Sequence, residues 1–133
     1  MASIRKEIAV GAPAAAAWDR LRDFGAVDRL APGFVTAAVL DGPDRVVTFF
    51  SGARARERLV TVDDDARRIV YTVVEGPLGA THHQAAVEVV GDGEGADGCR
   101  LVWTTDVLPD SLAGPIDGLM AQGAAAIGRA LTG

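Results

Sequence analysis

The two histidines of this chain, His82 and His83, are adjacent in the sequence, and their side chains are the first candidates for chemistry. Imidazole rings can ligate a metal ion or transfer protons near neutral pH. Both lie at the start of a predicted strand, where neighbouring side chains point to opposite faces. One metal ion cannot readily bind both rings, and no cluster of further ligands accompanies them. We therefore predict that this pair holds no metal.

The direction of each ring depends on how the strands on either side of the Gly- and Asp-rich segment 91–98 pair with each other. We expect a register that places the apolar residues of both strands on one inner face and an opposite-charge pair on the outer face. The predicted inner pairs are Val89–Cys99, Val87–Leu101 and Ala85–Trp103, and the predicted outer pair is Glu88–Arg100.

In this register His83 points inward, opposite Thr105, and His82 points outward, beside Asp106. We expect the ring of His82 to be solvated next to its acidic neighbour. His83 has two interpretations, and the sequence leaves both open. It is either a wall residue with satisfied hydrogen bonds or a group that contacts a ligand or transfers protons.

A carboxylate is predicted to point inward from the segment Ala53–Val62. Arg54, Arg56 and Arg58 alternate along this segment, which is typical of an exposed face. Glu57 therefore faces the interior. A buried carboxylate costs roughly several kcal/mol unless it is paired or solvated by a wet cavity. The other residues predicted to point inward from this strand are Ala55, Leu59 and Thr61.

Glu75 is the second carboxylate predicted to point inward. If Leu59 pairs with Tyr71, then Glu75 lies on the inner face and can approach His83. Glu57, Glu75 and His83 would then form a reasonable acid–base set for catalysis. The alternative is that Glu57 binds an arginine or lysine near the mouth of a cavity and that Glu75 lies in water at a strand end.

These side chains are positioned by an α+β pattern of hydrophobic spacing. Ser3–Gly11 predicts a first strand, and two short helices follow it, one after Pro13 and one over Val27–Leu30. Period-two alternation then predicts six strands joined by short turns, which is typical of an antiparallel meander. The six segments are Phe34–Leu40, Arg45–Phe50, Ala53–Val62, Arg68–Glu75, His82–Val90 and Cys99–Leu108.

A long helix ends the chain, beginning at Ser111 or Pro115. Its apolar stripe must pack against one face of the sheet. Gly123 lies within this stripe, and we expect its missing side chain to leave an apolar cavity on the order of a few hundred Å³. The residues of the stripe are Leu112, Ile116, Leu119, Met120, Ile127 and Leu131. The predicted lining of the cavity is Phe50, Leu59, Tyr71, Val73, Val87, Trp103, Ile116, Met120 and Gly123.

Size, charge and composition exclude several classes of protein. The 133 residues fit one domain, 1–133, and the formal net charge of −5 argues against a nucleic-acid partner. No apolar run is long enough to span a bilayer, and the charged N-terminal residues are not typical of a signal peptide, so we expect a cytoplasmic protein. The single cysteine, Cys99, excludes an internal disulfide, and we expect a reduced, partly buried thiol.

Motifs for common catalytic machinery are missing from the sequence. It contains no glycine-rich phosphate loop, no serine nucleophile elbow and no metalloprotease helix. We expect no cofactor. The pattern indicates a pocket more clearly than it indicates a reaction.

Three stretches carry a resemblance to a known family: AAAAWDRLRDFGAVDRLAP, RERLVTVDDDARRIVYTVVEGPLG and CRLVWTTDVLPD. With the order of the elements, they make nearly the whole chain resemble the START/Bet v 1-like (SRPBCC) superfamily, in particular its bacterial polyketide cyclase/dehydrase-like group. The resemblance implies a helix-grip fold, in which a seven-stranded antiparallel sheet wraps around the C-terminal helix and two short helices close one end. It also implies that Trp18 and Trp103 belong to the core or the cavity wall.

The resemblance implies three possible functions. The first is binding of a small hydrophobic or aromatic molecule, lipid-like or polyketide-like, in the cavity. The second is a polyketide cyclase, aromatase or dehydratase in which His83, Glu57 or Glu75 moves protons. The third is a protein-interaction role as a co-chaperone or regulatory partner. We expect a monomer or a homodimer, without integral membrane association.

Overall fold

The computed structural model describes residues 1–91 and 97–132, and within them seven strands form one antiparallel sheet. The predicted α+β helix-grip fold is confirmed. The strands are β1 (Ala2–Val10), β2 (Val35–Asp41), β3 (Asp44–Phe49), β4 (Arg54–Asp63), β5 (Arg68–Glu75), β6 (His82–Gly91) and β7 (Cys99–Leu108). The helices are α1 (Ala14–Leu21), α2 (Val27–Leu30) and α3 (Ala113–Thr132), with 3-10 turns at Phe24–Ala26 and Asp110–Leu112.

The sheet is a meander that is closed by its first strand. The strand order is β1-β7-β6-β5-β4-β3-β2, so β1 alone among the described strands pairs with a strand distant in the sequence. A two-residue turn at Gly42 and Pro43 joins β2 to β3, and Gly42 has the left-handed φ of 59° that such a turn requires. Short connections of this kind keep consecutive strands adjacent.

The last helix, α3, covers the inner face of the sheet. It begins at Ala113, after a 3-10 turn, and so between the two predicted starting points. Its buried residues recur at helical spacing and pack against the inner sides of β1 and β7. They are Ile116, Met120, Gly123, Ala126, Ile127 and Leu131. None of the described helices is long and apolar enough to cross a membrane.

The predicted register between β6 and β7 is wrong by two residues. The observed inner pairs are Val89–Leu101, Val87–Trp103 and Ala85–Thr105, and His83 lies opposite Val107. A shift of two residues leaves every side chain on its predicted face, because the period of a strand is two. Part of the predicted turn segment 91–98, residues 92–96, lies outside the described residues.

The predicted outer-face partners of β6 and β7 are also wrong. Arg100 lies opposite Val90 and forms an ion pair of 3.2 Å with Glu7 of β1, not with Glu88. Asp106 lies opposite Gln84 and accepts a hydrogen bond of 2.6 Å from Ser3. Strand β1 therefore supplies the polar partners that the two-strand prediction assigned to β6.

A β-bulge in β4 changes the direction of its second half. Leu59 pairs with Tyr71 as predicted, but the next paired residue of β4 is Thr61, opposite Val70, and Val60 is left over. Thr61 is exposed and Val62 packs against the core, so the prediction that Thr61 points inward is wrong. One extra residue in a strand reverses the faces beyond it.

Candidate functional site

A cavity of about 630 Å³ lies between the inner face of the sheet and α3. Most of its wall is apolar or aromatic, and eight of the nine predicted lining residues contribute to it. They are Phe50, Tyr71, Val73, Val87, Trp103, Ile116, Met120 and Gly123. Leu59 does not line the cavity, and it packs against the hydrophobic core instead.

Aromatic residues surround one side of the cavity. The ring of Phe34 lies 5.6 Å from that of Phe49 and 6.0 Å from that of Phe50, measured between centroids. Phe50 is 52% exposed although it lines the cavity, and the neighbouring lining residues Val74 and Glu75 are also exposed. These residues mark where the cavity opens to solvent, and an apolar molecule can enter there.

Gly123 lines the cavity, but the space beside it is already filled. A Cβ atom at this position would lie 3.1 Å from Cε2 of Phe34 and 3.2 Å from Cη2 of Trp103. The expectation that the missing side chain leaves volume is therefore wrong. The glycine lets two aromatic rings pack directly against the backbone of α3.

The main polar feature of the wall is a buried ion pair between Arg45 of β3 and Glu57 of β4. Nε of Arg45 donates to Oε1 of Glu57 at 2.8 Å, and only 8% and 10% of the two side chains are exposed. Nη1 of Arg45 donates to the backbone carbonyl of Phe24 at 3.1 Å. Glu57 is thus paired with an arginine, as in the second of its two sequence interpretations.

Two aromatic rings hold the guanidinium group of Arg45. Its central carbon lies 4.0 Å from the ring centroid of Phe24 and 4.8 Å from that of Tyr71. A guanidinium group stacks favourably on aromatic faces, most strongly where water is excluded. Arg45 was not predicted as a site residue, although it alternates with the buried Val47 on β3 and lies directly opposite Glu57.

Tyr71 and Trp103 bring two further polar atoms to the wall. Burial raises the pKa of Tyr71, and the nearby charge of Glu57 raises it further, so the hydroxyl stays protonated at neutral pH. Nε1 of Trp103 is buried near the Tyr71 hydroxyl and makes no hydrogen bond of standard geometry with the described residues. Buried N–H groups are nearly always paired in folded proteins, so this one is an exception.

His83 lines the cavity and His82 does not. Burial lowers the pKa of His83, and the adjacent charge of His82 lowers it further, so the His83 ring is neutral at neutral pH. The register predicted for Glu75 is wrong, because Val74 is left over in β5 and Glu75 lies opposite Arg56 of the predicted outer face. Glu75 ends β5, is exposed and still lines the cavity. No hydrogen bond or ion pair joins Glu75 to His83 in the described part of the chain. Glu57, the third candidate for proton transfer, also lines the cavity.

The site contains no obvious place for a metal ion. Within residues 1–91 and 97–132, no three side chains of His, Cys, Asp or Glu are grouped closely enough to hold one. The sulfur-bearing Cys99 is buried in the core and does not line the cavity.

A helix-grip fold with a cavity beneath its last helix defines a class of protein, and the sequence places the chain within that class. Residues 1–132 match the model of the family described as polyketide cyclase / dehydrase and lipid transport. The chain belongs to this family. Its membership and fold support ligand binding in general terms. No curated protein matches the chain.

Solved structures of similar proteins share the fold over nearly the whole chain. A protein from Thermobifida fusca is 34% identical, with a TM-score of 0.80 over 99% of this chain and 91% of that one. XoxI from Bacillus cereus is 18% identical, with a TM-score of 0.88 over 98% and 96%. Norcoclaurine synthase from Thalictrum flavum, in complex with dopamine and hydroxybenzaldehyde, is 25% identical, with a TM-score of 0.73 over 96% and 84%.

Proposed function

We propose that the protein binds a small, largely apolar molecule, aromatic or lipid-like, in the cavity under α3. The observation that carries the proposal is the cavity itself, whose volume of about 630 Å³ falls within the usual range of small-molecule sites. Its wall is mainly apolar, with a few polar groups that can orient a ligand. The norcoclaurine synthase complex, which holds two aromatic molecules in a similar fold, supports this choice of ligand.

A variant with a filled cavity tests this proposal. The ligand is a neutral fluorescent probe, N-phenyl-1-naphthylamine, whose binding to the variant and to the original protein is compared. Ala55 is buried on β4 and lines the cavity, so Ala55→Phe projects a ring into the space that the ligand needs. We expect this variant to lose at least about tenfold in affinity for the probe, because the ring excludes it. The measurement is a fluorescence titration, with thermal unfolding as the check that the variant is folded.

The matched control is Val60→Phe, which places the same ring on the same strand at a residue that is 56% exposed and does not line the cavity. This control is expected to bind the probe like the original protein. Equal probe binding by a folded Ala55→Phe variant and by the control would contradict the proposal.

A second candidate function is acid–base catalysis on a molecule of the same kind, such as a cyclisation or dehydration. One observation favours it: His83 faces the cavity, and its lowered pKa keeps the ring neutral and able to accept a proton. Glu75 at the cavity opening is the candidate partner. Glu57 is less suited to this role, because it is already paired with Arg45.

A further inference from the structure

We propose that Arg45 and Glu57 together form a net-neutral recognition site, which selects apolar ligands that carry an uncharged hydroxyl group over ligands that carry a carboxylate. This inference rests on the proposed function, because it names the ligand class of the same cavity. It assigns to Arg45 the role of a specificity-determining residue.

The ion pair between Arg45 and Glu57 is fixed in place. Nε and Nη1 of Arg45 are both committed, to Glu57 and to the carbonyl of Phe24, and two aromatic rings contact the guanidinium group. A charged side chain held on four sides cannot turn away from a ligand. Fixed polar groups of this kind give orientation and selectivity at little entropic cost.

Each partner of the ion pair keeps one unused polar atom. Nη2 of Arg45 and Oε2 of Glu57 make no hydrogen bond with the described residues. Both atoms keep some surface that the described protein atoms do not cover, unlike Nε1 of Trp103, which is fully enclosed. Both side chains are nearly buried and line the cavity, so their remaining surface faces it.

These two atoms have opposite hydrogen-bonding roles. Nη2 can donate a hydrogen bond, and Oε2 can accept one. A hydroxyl group does both at once, since its oxygen accepts from the arginine while its proton is donated to the glutamate. An ether or a hydrocarbon at the same place leaves at least one of these atoms unsatisfied, which is unfavourable in a water-poor site.

The local charge also bears on which ligand binds. Arg45 and Glu57 cancel, and the remaining charged residue among the described lining is the acidic Glu75, because His83 is neutral. A carboxylate brought into this cavity loses its hydration and meets no net positive charge in return. The pair therefore favours a neutral ligand.

Three probes of nearly equal shape test the inference on the whole protein: 2-methylnaphthalene, 2-naphthol and 2-naphthoate. Their dissociation constants are measured by displacement of N-phenyl-1-naphthylamine near pH 7, where a phenol is uncharged. We expect 2-naphthol to bind about tenfold more tightly than 2-methylnaphthalene, as one or two hydrogen bonds to charged groups allow. We expect 2-naphthoate to bind most weakly.

Two variants assign any preference to the ion pair. In Arg45→Met/Glu57→Met both charges are replaced by apolar side chains, a change that buried ion pairs usually tolerate. In this double variant the ratio of the dissociation constants for 2-methylnaphthalene and 2-naphthol should fall to about one, so the preference for 2-naphthol is lost. In Glu57→Gln the charge of Arg45 is no longer cancelled. The affinity for 2-naphthoate should therefore rise at least about tenfold relative to the affinity for 2-naphthol.

The outcomes separate this inference from the proposed function. If 2-naphthol and 2-methylnaphthalene bind equally, and Ala55→Phe abolishes both, the cavity binds ligands but the inference is overturned. If the double variant keeps the preference for 2-naphthol, the ion pair is not its source and the inference is also overturned. Failure of all three probes to bind would overturn the proposed function and the inference together.

Discussion

Gly123 shows at the scale of one residue how a correct expectation can rest on the wrong local reason. The sequence predicted a cavity because a glycine interrupts the apolar stripe of the last helix. The cavity exists, but the rings of Phe34 and Trp103 occupy the space beside that glycine. A single sequence identifies a missing side chain, but it does not identify which neighbour fills the space.

Gly123→Ala is expected to lower the free energy of unfolding. The new methyl group would press against two aromatic rings, and overpacking of this kind costs about 1–3 kcal/mol, more than the roughly 1 kcal/mol that alanine gains over glycine in a helix. Gly118→Ala is the matched control on the same helix, where a Cβ would meet no described atom within 4 Å. The control should be stabilised by about 0.5–1 kcal/mol in urea unfolding. Equal stabilisation of both variants would contradict the close packing at Gly123.

His83 is expected to make stability depend on pH. Its pKa is lowered in the folded protein, first by burial and then by His82, whereas in the unfolded chain it is near its ordinary value of about 6.5. Above that pH the ring is neutral in both states. Below it the unfolded chain takes up a proton that the folded protein resists, so stability is lost as the pH falls.

The measurement that checks this is the urea midpoint at about pH 7.5 and about pH 5.5, on either side of the ordinary histidine pKa. His83→Gln should lose less stability over this interval than the original protein does. His82→Gln is the comparison variant: it removes the smaller cause of the lowered His83 pKa but keeps the buried ring, so it should retain most of the pH dependence. An unchanged difference between the two pH values in His83→Gln would show that another group is responsible.

Arg45 was missed because a charged residue at the start of a strand is usually read as an exposed end. Two signals were nevertheless present in the sequence. The turn at Gly42 and Pro43 fixes the start of β3, and an acidic residue on the next strand, Glu57, was already predicted to point inward. Pairing β3 with β4 would have placed opposite charges side by side on the inner face.

At the scale of the elements, the faces of the strands were easier to predict than their registers. The pairs of β4 with β5 at Leu59–Tyr71 and Glu57–Val73 agree with the prediction, although the bulge at Val60 shifts the register between these pairs and the turn. The connection between β6 and β7 is longer, and its turn chemistry does not fix the register. The alternation of apolar residues fixes only the faces, which a shift of two residues preserves.

One aspartate in the turn between β4 and β5 holds the first helix against the sheet by hydrogen bonds. Oδ1 of Asp64 accepts hydrogen bonds from Nε1 of the buried Trp18 at 2.9 Å and from Nε of Arg22 at 2.8 Å. Hydrogen bonding to Arg22 and then to Trp18 lowers the pKa of Asp64. This contact joins α1 to a turn 46 residues away from Trp18 in the sequence.

Asp64→Ala is therefore expected to destabilise the protein, because it leaves the indole N–H of a buried tryptophan without its acceptor. Asp65→Ala is the control, since it removes a neighbouring exposed carboxylate from the same turn. Urea unfolding at neutral pH should give a lower midpoint for Asp64→Ala than for the control. The difference should shrink in acid, because a carboxyl with a lowered pKa stabilises the fold above its unfolded pKa and loses that effect as the pH falls. Equal midpoints at neutral pH would contradict this role of Asp64.

At the scale of the whole molecule, the order of elements and the covering of the sheet by α3 followed from the sequence, because periodicity and turn residues specify them directly. The ion pair in the cavity wall could not be predicted from the sequence in this way. It depends on side chains from β3 and β4, a carbonyl in the 3-10 turn and a ring on β5, which meet only once the sheet is formed. The periodicity of one strand does not predict contacts between side chains of several different elements.

The position of β1 has a consequence for how the protein is made. Ala2 pairs with Val107, so β1 is made about a hundred residues before the strand with which it pairs. Every other pair of adjacent strands is consecutive in the chain. Closure over about a hundred residues is entropically unfavourable and slow compared with hairpin formation. The wall made by α3 follows all seven strands in the chain, so a growing chain cannot enclose a ligand until α3 has been made.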